Sequence, residues 1–180
     1  MILTYSQCIE SYGNDYQIQK AVNENKLFKI EKGVYSDAEH VSDLAIITFK
    51  YPDAVFTMNS AFFYHGLTDD IPKSYYIATK KSARGIRDTR VKQCFIPEDI
   101  FNCGLSEMHY WDADIRIYDK ERMLIELLRF KNTLPYDYYK EVLGNYRDIV
   151  YELDIPRIEE YAHIFPKRKM IMNALRSEVF

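Results

Sequence analysis

Apolar and polar residues alternate along this chain with two different periods. From Thr4 to Val22 the period is helical. Tyr5, Cys8, Ile9 and Tyr12 share one helical face, and Ile18, Ala21 and Val22 form a second apolar stripe. Thr4-Tyr5-Ser6-Gln7 is a capping-box pattern, in which the Thr4 hydroxyl accepts from a free backbone N–H and Gln7 reaches back. Gly13 ends that helix, and Asn14 or Asp15 caps the next. From Leu27 to Tyr35 the period shortens to two. Leu27-Phe28-Lys29-Ile30 and Val34-Tyr35 flank Glu31-Lys32-Gly33, which is the pattern of a β-hairpin. Helix, turn, helix and hairpin predict a small winged helix-turn-helix domain over residues 1–36.

A polar stretch, Ser36-Asp37-Ala38-Glu39-His40, closes this unit and starts a second domain at 37–180. A helix is expected over 42–50, with Val41, Leu44, Ala45 and Phe49 as its apolar face. A short strand follows at 54–57, and Asn59 is expected to cap a helix over 60–65 that Gly66 ends. Strands are expected at 75–79, 91–96, 108–111 and 115–118. Asp119 caps the most clearly amphipathic helix, with Met123, Leu124, Leu127 and Leu128 on its core face. Further helices are expected at 135–146, 155–164 and 168–175. The expected fold class is α+β: a winged helix-turn-helix followed by a mixed α/β domain that ends in a helical bundle.

Composition fits a folded protein. A chain of 180 residues with 47% hydrophobic and 28% charged residues buries its own core without metals or disulfides. Its many aromatics, chiefly 16 Tyr and 10 Phe, suit half-buried sheet surfaces and contact faces. Cys8, Cys94 and Cys103 are odd in number and lack C-x-x-C spacing, so neither a disulfide framework nor a thiolate zinc site is expected. No apolar run reaches the roughly 18 residues of a membrane span, and no signal-peptide pattern opens the chain. A cytoplasmic protein with no membrane partner is expected.

Charge changes the picture more. The chain nets −3 with a pI near 5.8, so attraction to nucleic acid has to be local. Between Ile71 and Gln93, seven basic residues (Lys73, Lys80, Lys81, Arg84, Arg87, Arg90 and Lys92) meet one acid, Asp88, and net +6. Such a stretch collects phosphates or docks an acidic partner. Lys80-Lys81-Ser82-Ala83-Arg84-Gly85 has no regular pattern and is expected to be a loop or hairpin tip. The polar side of the second helix offers Tyr16, Gln17, Gln19, Lys20 and Asn23. Gln and Asn bond adenine bidentately, and Lys20 reaches a guanine or a phosphate. Lys29 and Lys32 lie on or beside the hairpin, within reach of the DNA backbone. Residues 1–36 hold four lysines and four acids, so a merely solvated face fits these residues equally well.

Catalytic patterns are weak. Neither G-x-S-x-G nor G-x-x-x-x-G-K-[ST] occurs, and His40, His65, His109 and His163 lack metalloprotease spacing. Ser60 and His65 stand roughly 500° apart around one helix, so they do not face each other. His109, Asp112 and Asp114 are the best metal-ligand group, with Glu121 nearby, but strand alternation is expected to set both Asp on one face and His109 on the other. No enzymatic activity, metal or cofactor is expected.

The order of these segments resembles the AbiEi family, antitoxins and transcriptional regulators of bacterial abortive-infection (type IV) toxin–antitoxin systems. The resemblance covers nearly the whole chain. Leu27-Phe28-Lys29-Ile30-Glu31-Lys32-Gly33-Val34-Tyr35 is similar to the wing of the family's N-terminal domain. Ser60-Ala61-Phe62-Phe63-Tyr64-His65-Gly66-Leu67-Thr68 follows, then Ile71-Pro72. Ile117-Tyr118-Asp119-Lys120-Glu121-Arg122-Met123-Leu124-Ile125-Glu126-Leu127-Leu128 is similar to a strand-to-helix segment, with Glu126 where Asp is usual. The resemblance implies a DNA-binding autorepressor that recognises operator DNA with inverted repeats. It also implies phage defence through a C-terminal domain that neutralises a nucleotidyltransferase-type toxin without a stable complex, in a monomer or weak dimer. Lys80, Lys81, Arg84, Arg87 and Arg90 would then make secondary phosphate contacts. The alternative is a protein-interaction module that does not bind DNA and docks an acidic partner through the basic 73–92 segment.

Overall fold

The Thr4–Gln7 pattern forms the reciprocal cap that its spacing requires. The Gln7 N–H donates to Thr4 Oγ1 at 3.2 Å, and the Thr4 N–H donates to Gln7 Oε1 at 2.8 Å. This starts helix α1, Tyr5–Tyr12. Gly13 ends it by donating its N–H to the Ile9 carbonyl at 2.7 Å. Asn14, and not Asp15, then caps α2, Asp15–Asn23, by accepting the Gln17 N–H at 3.0 Å. Strands β1 (Ile2–Thr4), β2 (Phe28–Glu31) and β3 (Val34–Ser36) form an antiparallel sheet in the order β1-β3-β2. The β2–β3 connection depends on Gly33 at φ +79, a conformation that costs other residues more.

The computed structural model describes residues 1–180. The chain is a mixed α/β protein of two compact units, Met1–Pro52 and Asp53–Phe180. In the first, Cys8, Ile18, Ala21, Leu27 and Tyr35 form a small core. Fully burying Ile18 or Leu27 stabilises it by about 1.5–3 kcal/mol each. The unit extends past the expected edge at residue 36, because it includes α3, Asp43–Lys50. An ion pair of 2.8 Å between Lys50 and Glu31 ties that helix to the hairpin. The buried residues of α3 run from Leu44 to Ile47, which adds Ile46 and Ile47 to the expected stripe, while Phe49 is only half-buried.

The second unit is built on a five-stranded sheet of order β6-β5-β4-β8-β7. Its strands are β4 (Val55–Phe56), β5 (Tyr75–Lys80), β6 (Val91–Ile96), β7 (Leu105–Tyr110) and β8 (Ala113–Tyr118). Helix α4, Met58–Tyr64, begins one residue after its cap, Thr57, and not at Asn59. The Thr57 hydroxyl is buried and directed at Met123 Sδ, 3.8 Å away, so it does not bond the helix backbone. A four-residue helix, α5 (Glu98–Phe101), follows β6. The remaining helices are α6 (Lys120–Arg129), α7 (Tyr136–Asp148), α8 (Ile155–Ile164) and α9 (Arg168–Ala174), with a π-helical turn at Leu175–Val179. Helix α6 packs on α4, α7, α8 and α9, and every residue from Arg122 to Leu128 is buried.

Arg122 holds this assembly together. Its side chain has no solvent exposure. It donates to the carbonyls of Ile100 (2.6 Å) and Cys103 (2.8 Å) and to Glu126 Oε1 (3.0 Å). Its guanidinium lies 4.1 Å from the Tyr118 ring centroid and 4.4 Å from that of Phe165. Glu126 accepts from Arg122 with one oxygen and from Arg129 with the other, at 2.7 Å, and so joins residues one turn before and one turn after it. Gly104 leaves room for this arrangement: a Cβ there would lie 2.5 Å from the Arg122 Cβ. Asp119 caps α6 as expected, accepting the Arg122 N–H at 2.7 Å and the Tyr161 hydroxyl at 2.9 Å, and burial pushes its pKa up. No helix is long and apolar enough to cross a membrane.

Candidate nucleic-acid interface

Helix α2 turns Ile18 and Ala21 into the core of its unit. At 100° per residue, Tyr16, Gln19, Lys20 and Asn23 occupy the opposite face, and Gln17 flanks it. All five are exposed, Tyr16 by 73%. The sequence-expected residues of this helix therefore come together on one accessible surface. Lys29 on β2 and Lys32 in the hairpin turn are exposed as well. The surface is not strongly basic. Lys20 Nζ lies 3.9 Å from Glu24, and the Lys26 ammonium, 2.7 Å from Glu24, holds that carboxyl below the usual carboxylate range. The whole unit carries five lysines against seven acids and nets −2.

The basic segment has a different architecture from the hairpin tip that was one expectation for it. Strands β5 and β6 pair in parallel, Tyr75 with Val91 through Lys80 with Ile96. The chain from Lys81 to Arg90 therefore runs back along the sheet as an extended crossover. Parallel neighbours require such a return, and here it contains no helix. The Gln93 side chain fixes it in place. Its amide donates to Thr79 Oγ1 (2.7 Å) and to the Arg84 carbonyl (3.0 Å), and its oxygen accepts the Ile86 N–H (2.7 Å).

The cations of the segment divide into two groups. Lys73, Lys81, Arg84 and Arg87 are exposed and have no carboxylate partner. Arg90 is held by Asp88, to which its Nε and Nη2 donate at 2.9 and 2.7 Å. Lys80 lies 4.0 Å from Glu98, whose carboxylate also accepts the Ser82 hydroxyl. Lys92 sits 4.9 Å over the Tyr76 ring. Lys73, Lys81, Arg84 and Arg87 are thus the cations most available to an anion.

The acidic candidates are arranged differently from expectation. His109 and Asp114 are cross-strand partners on one face of the β7–β8 hairpin, with His109 Nδ1 2.7 Å from Asp114 Oδ1. Asp112 is in the turn, not in a strand, because Trp111 and Asp112 make the two-residue connection. No group of three potential ligands is brought together to hold a metal ion. His65 is accounted for by structure: its Nε2–H donates to the Tyr118 carbonyl at 2.7 Å, and burial lowers its pKa.

Sequence reasoning missed Gln93 and Trp111, and counted Asp88 as an opposing charge without its pairing to Arg90. Trp111 is 84% exposed at the hairpin tip with φ +54, an unusual backbone conformation for a bulky residue. Alternation on both sides of Trp111-Asp112 is the signal that identifies this turn.

No protein-family model matches the chain, and no curated protein matches it. Among solved structures it is similar to the RV2827C protein from Mycobacterium tuberculosis, with 15% identity and a TM-score of 0.68 over 99% of this chain and 72% of that one. At this identity the likeness establishes the fold alone.

Proposed function

We propose that this chain is a DNA-binding transcriptional autorepressor and the antitoxin of a cytoplasmic abortive-infection toxin–antitoxin system, with no catalytic activity of its own. The first unit acts as a winged helix-turn-helix, α2 as its recognition helix and the β2–β3 hairpin as its wing. Gln19 and Asn23 contact base edges, with Gln17 and Tyr16 beside them. Lys20, Lys29 and Lys32 contact phosphate. Lys81, Arg84 and Arg87, with smaller shares from Lys80 and Arg90, add phosphate contacts from the second unit. The operator has inverted repeats, and the cognate nucleotidyltransferase-type toxin is neutralised without a stable complex, as the family resemblance implies.

One observation supports this most: α2 buries a narrow apolar stripe and leaves Tyr16, Gln19, Lys20 and Asn23 together on an exposed face. Amides and a lysine on the open face of a second helix are what major-groove reading requires. The test is a reporter fused to DNA upstream of the chain's own gene. Wild type represses it, and Gln19→Ala/Asn23→Ala relieves repression at equal protein level. Equal repression by both proteins contradicts the assignment of α2. A specific observation also favours the alternative, a protein-docking module: the most basic exposed surface lies on the second unit, away from α2 in the sequence.

A further inference from the structure

We infer that two copies of this chain associate about a two-fold axis by pairing their β6 strands edge to edge, which joins two five-stranded sheets into one. β6 is the last strand on its side of the sheet. Alternate residues of a parallel strand turn both backbone groups to the same neighbour. The Tyr75 N–H donates to the Arg90 carbonyl and the Lys81 N–H to the Ile96 carbonyl, both at 2.8 Å. Arg90, Lys92, Cys94 and Ile96 therefore face β5, while Val91, Gln93 and Phe95 turn their groups to the open edge. The Val91 N–H donates to the Asp88 carbonyl at 3.0 Å. The N–H groups of Gln93 and Phe95 and the carbonyls of Val91, Gln93 and Phe95 have no backbone partner.

This edge lacks the usual protection. Charges, prolines and bulges blunt the strand edges of most sheets. β6 pairs with β5 in unbroken register from Val91 to Ile96 and contains no proline. Its one charged residue, Lys92, leans over the Tyr76 ring of β5, and the Gln93 amide is likewise drawn towards Thr79. Phe95 is 50% exposed. The edge strand on the other side, β7, instead carries exposed Glu107 and His109. The edge strands of the first unit, β1 and β2, have only three and four residues.

A second copy fits this edge. A two-fold axis perpendicular to the sheet sets the strands antiparallel, with Gln93 opposite Gln93. Each Gln93 N–H then donates to the other Gln93 carbonyl, and each Phe95 N–H to the Val91 carbonyl of the other copy. Val91, Gln93 and Phe95 share one face of the sheet. On that face each Val91 meets Phe95 of the second copy, an apolar cross-strand pair. On the other face Lys92 meets Cys94, so no like charges are directly opposed. An acidic peptide finds little to attract it here, because Lys92 is turned inward; the second copy is the better match. The contact is short, which makes the dimer weak.

The Gln93 side chain also holds the crossover, through the Arg84 carbonyl and the Ile86 N–H, on the face that it shares with Val91 and Phe95. In the dimer the two crossovers therefore lie on one face, on either side of the axis and about 10 Å apart. Lys81, Arg84 and Arg87 of both copies then border one basic surface. Use of that surface on an inverted repeat rests on the DNA-binding reading above; the dimer itself does not.

The test is sedimentation velocity of the full chain without DNA, over a protein concentration series. The mass rises from 21.4 kDa towards twice that value. Phe95→Pro stays monomeric and keeps its sheet, because the Phe95 N–H is not used within the chain. Val91→Lys/Phe95→Lys alone stays monomeric, and so does Val91→Glu/Phe95→Glu. Mixed together, these two variants form a dimer, because each Lys then opposes a Glu. Their recovery on mixing also shows that both are folded. A wild type that stays at 21.4 kDa up to its solubility limit overturns the inference. So does a dimer that Phe95→Pro leaves unchanged, or a mixture of the charged variants that remains monomeric. A chain that dimerises in this way but binds no DNA upholds the inference and removes the DNA-binding reading.

Discussion

The two units separate shape from charge. The first presents a helix whose exposed face has the residue types for reading bases, yet the unit nets −2. The second carries the +6 segment, yet presents Lys81, Arg84, Arg87 and Arg90 of it on an irregular crossover that offers no helix to enter a groove. Specific reading needs a fixed array of amides, while phosphate contact needs only mobile cations near a surface. If the chain binds DNA, specificity and bulk affinity are therefore divided between its units. A unit with few cations also relies less on non-specific attraction, which raises the share of its binding that sequence decides.

Substitutions break this comparison at different strengths. The largest effect is expected at Glu126→Ala, which leaves Arg122 buried without its carboxylate partner. It should cost the second unit about 3–5 kcal/mol, read as a shift in denaturant midpoint. A cost below about 1 kcal/mol would mean that the carbonyls of Ile100 and Cys103 suffice to hold the guanidinium. Next is Gln19→Ala on α2, which should cost about 1–3 kcal/mol of discrimination between the operator and scrambled DNA while leaving the salt dependence unchanged.

Smaller still is Arg84→Ala/Arg87→Ala. It should weaken binding evenly on all DNA sequences and flatten the log affinity against log salt plot by about 2. A change confined to the operator would place base reading in the crossover and undo the comparison. The smallest effect is expected from His65. Its folded pKa lies below its ordinary value near 6.5, so the unfolded chain takes up the proton first as pH falls. Its contribution is complete above pH 6.5 and declines as pH drops from there towards the folded pKa. His65→Gln should reduce the loss of stability over that interval.

The elements with strong local signals were legible in the sequence. The Thr4–Gln7 cap, the Asn14 cap, the Gly33 turn, the Asp119 cap and the helix Ile155–Ile164 all follow from side chains a few residues apart. Long-range pairing was not legible. Nothing local in the 75–79 and 91–96 patterns distinguishes a parallel pair from a hairpin, because both give the same alternation. The two-residue β4 is too short for a periodic signal, and β1 contributes only two apolar residues before the first cap. The α2 face was legible because helical spacing alone decides which residues share a side. The division of the basic segment was not, because Asp88, Glu98 and Tyr76 meet their cations through turn and sheet geometry.

The most direct test of the proposed function is binding of the full chain to DNA upstream of its own gene, as a gel shift over a salt series. Wild type is compared with Lys20→Ala and with Lys80→Ala/Lys81→Ala. Contacts by Lys20, Lys29, Lys32, Lys81, Arg84 and Arg87 predict a log–log slope of about −5, and contacts by the first three alone about −3. The account predicts a specific shift that Lys20→Ala weakens and flattens by about 1, while Lys80→Ala/Lys81→Ala lowers affinity without changing the preferred sequence. No shift at low salt, or an affinity that salt leaves unchanged, would contradict it and leave the docking of a protein partner as the function of the basic crossover.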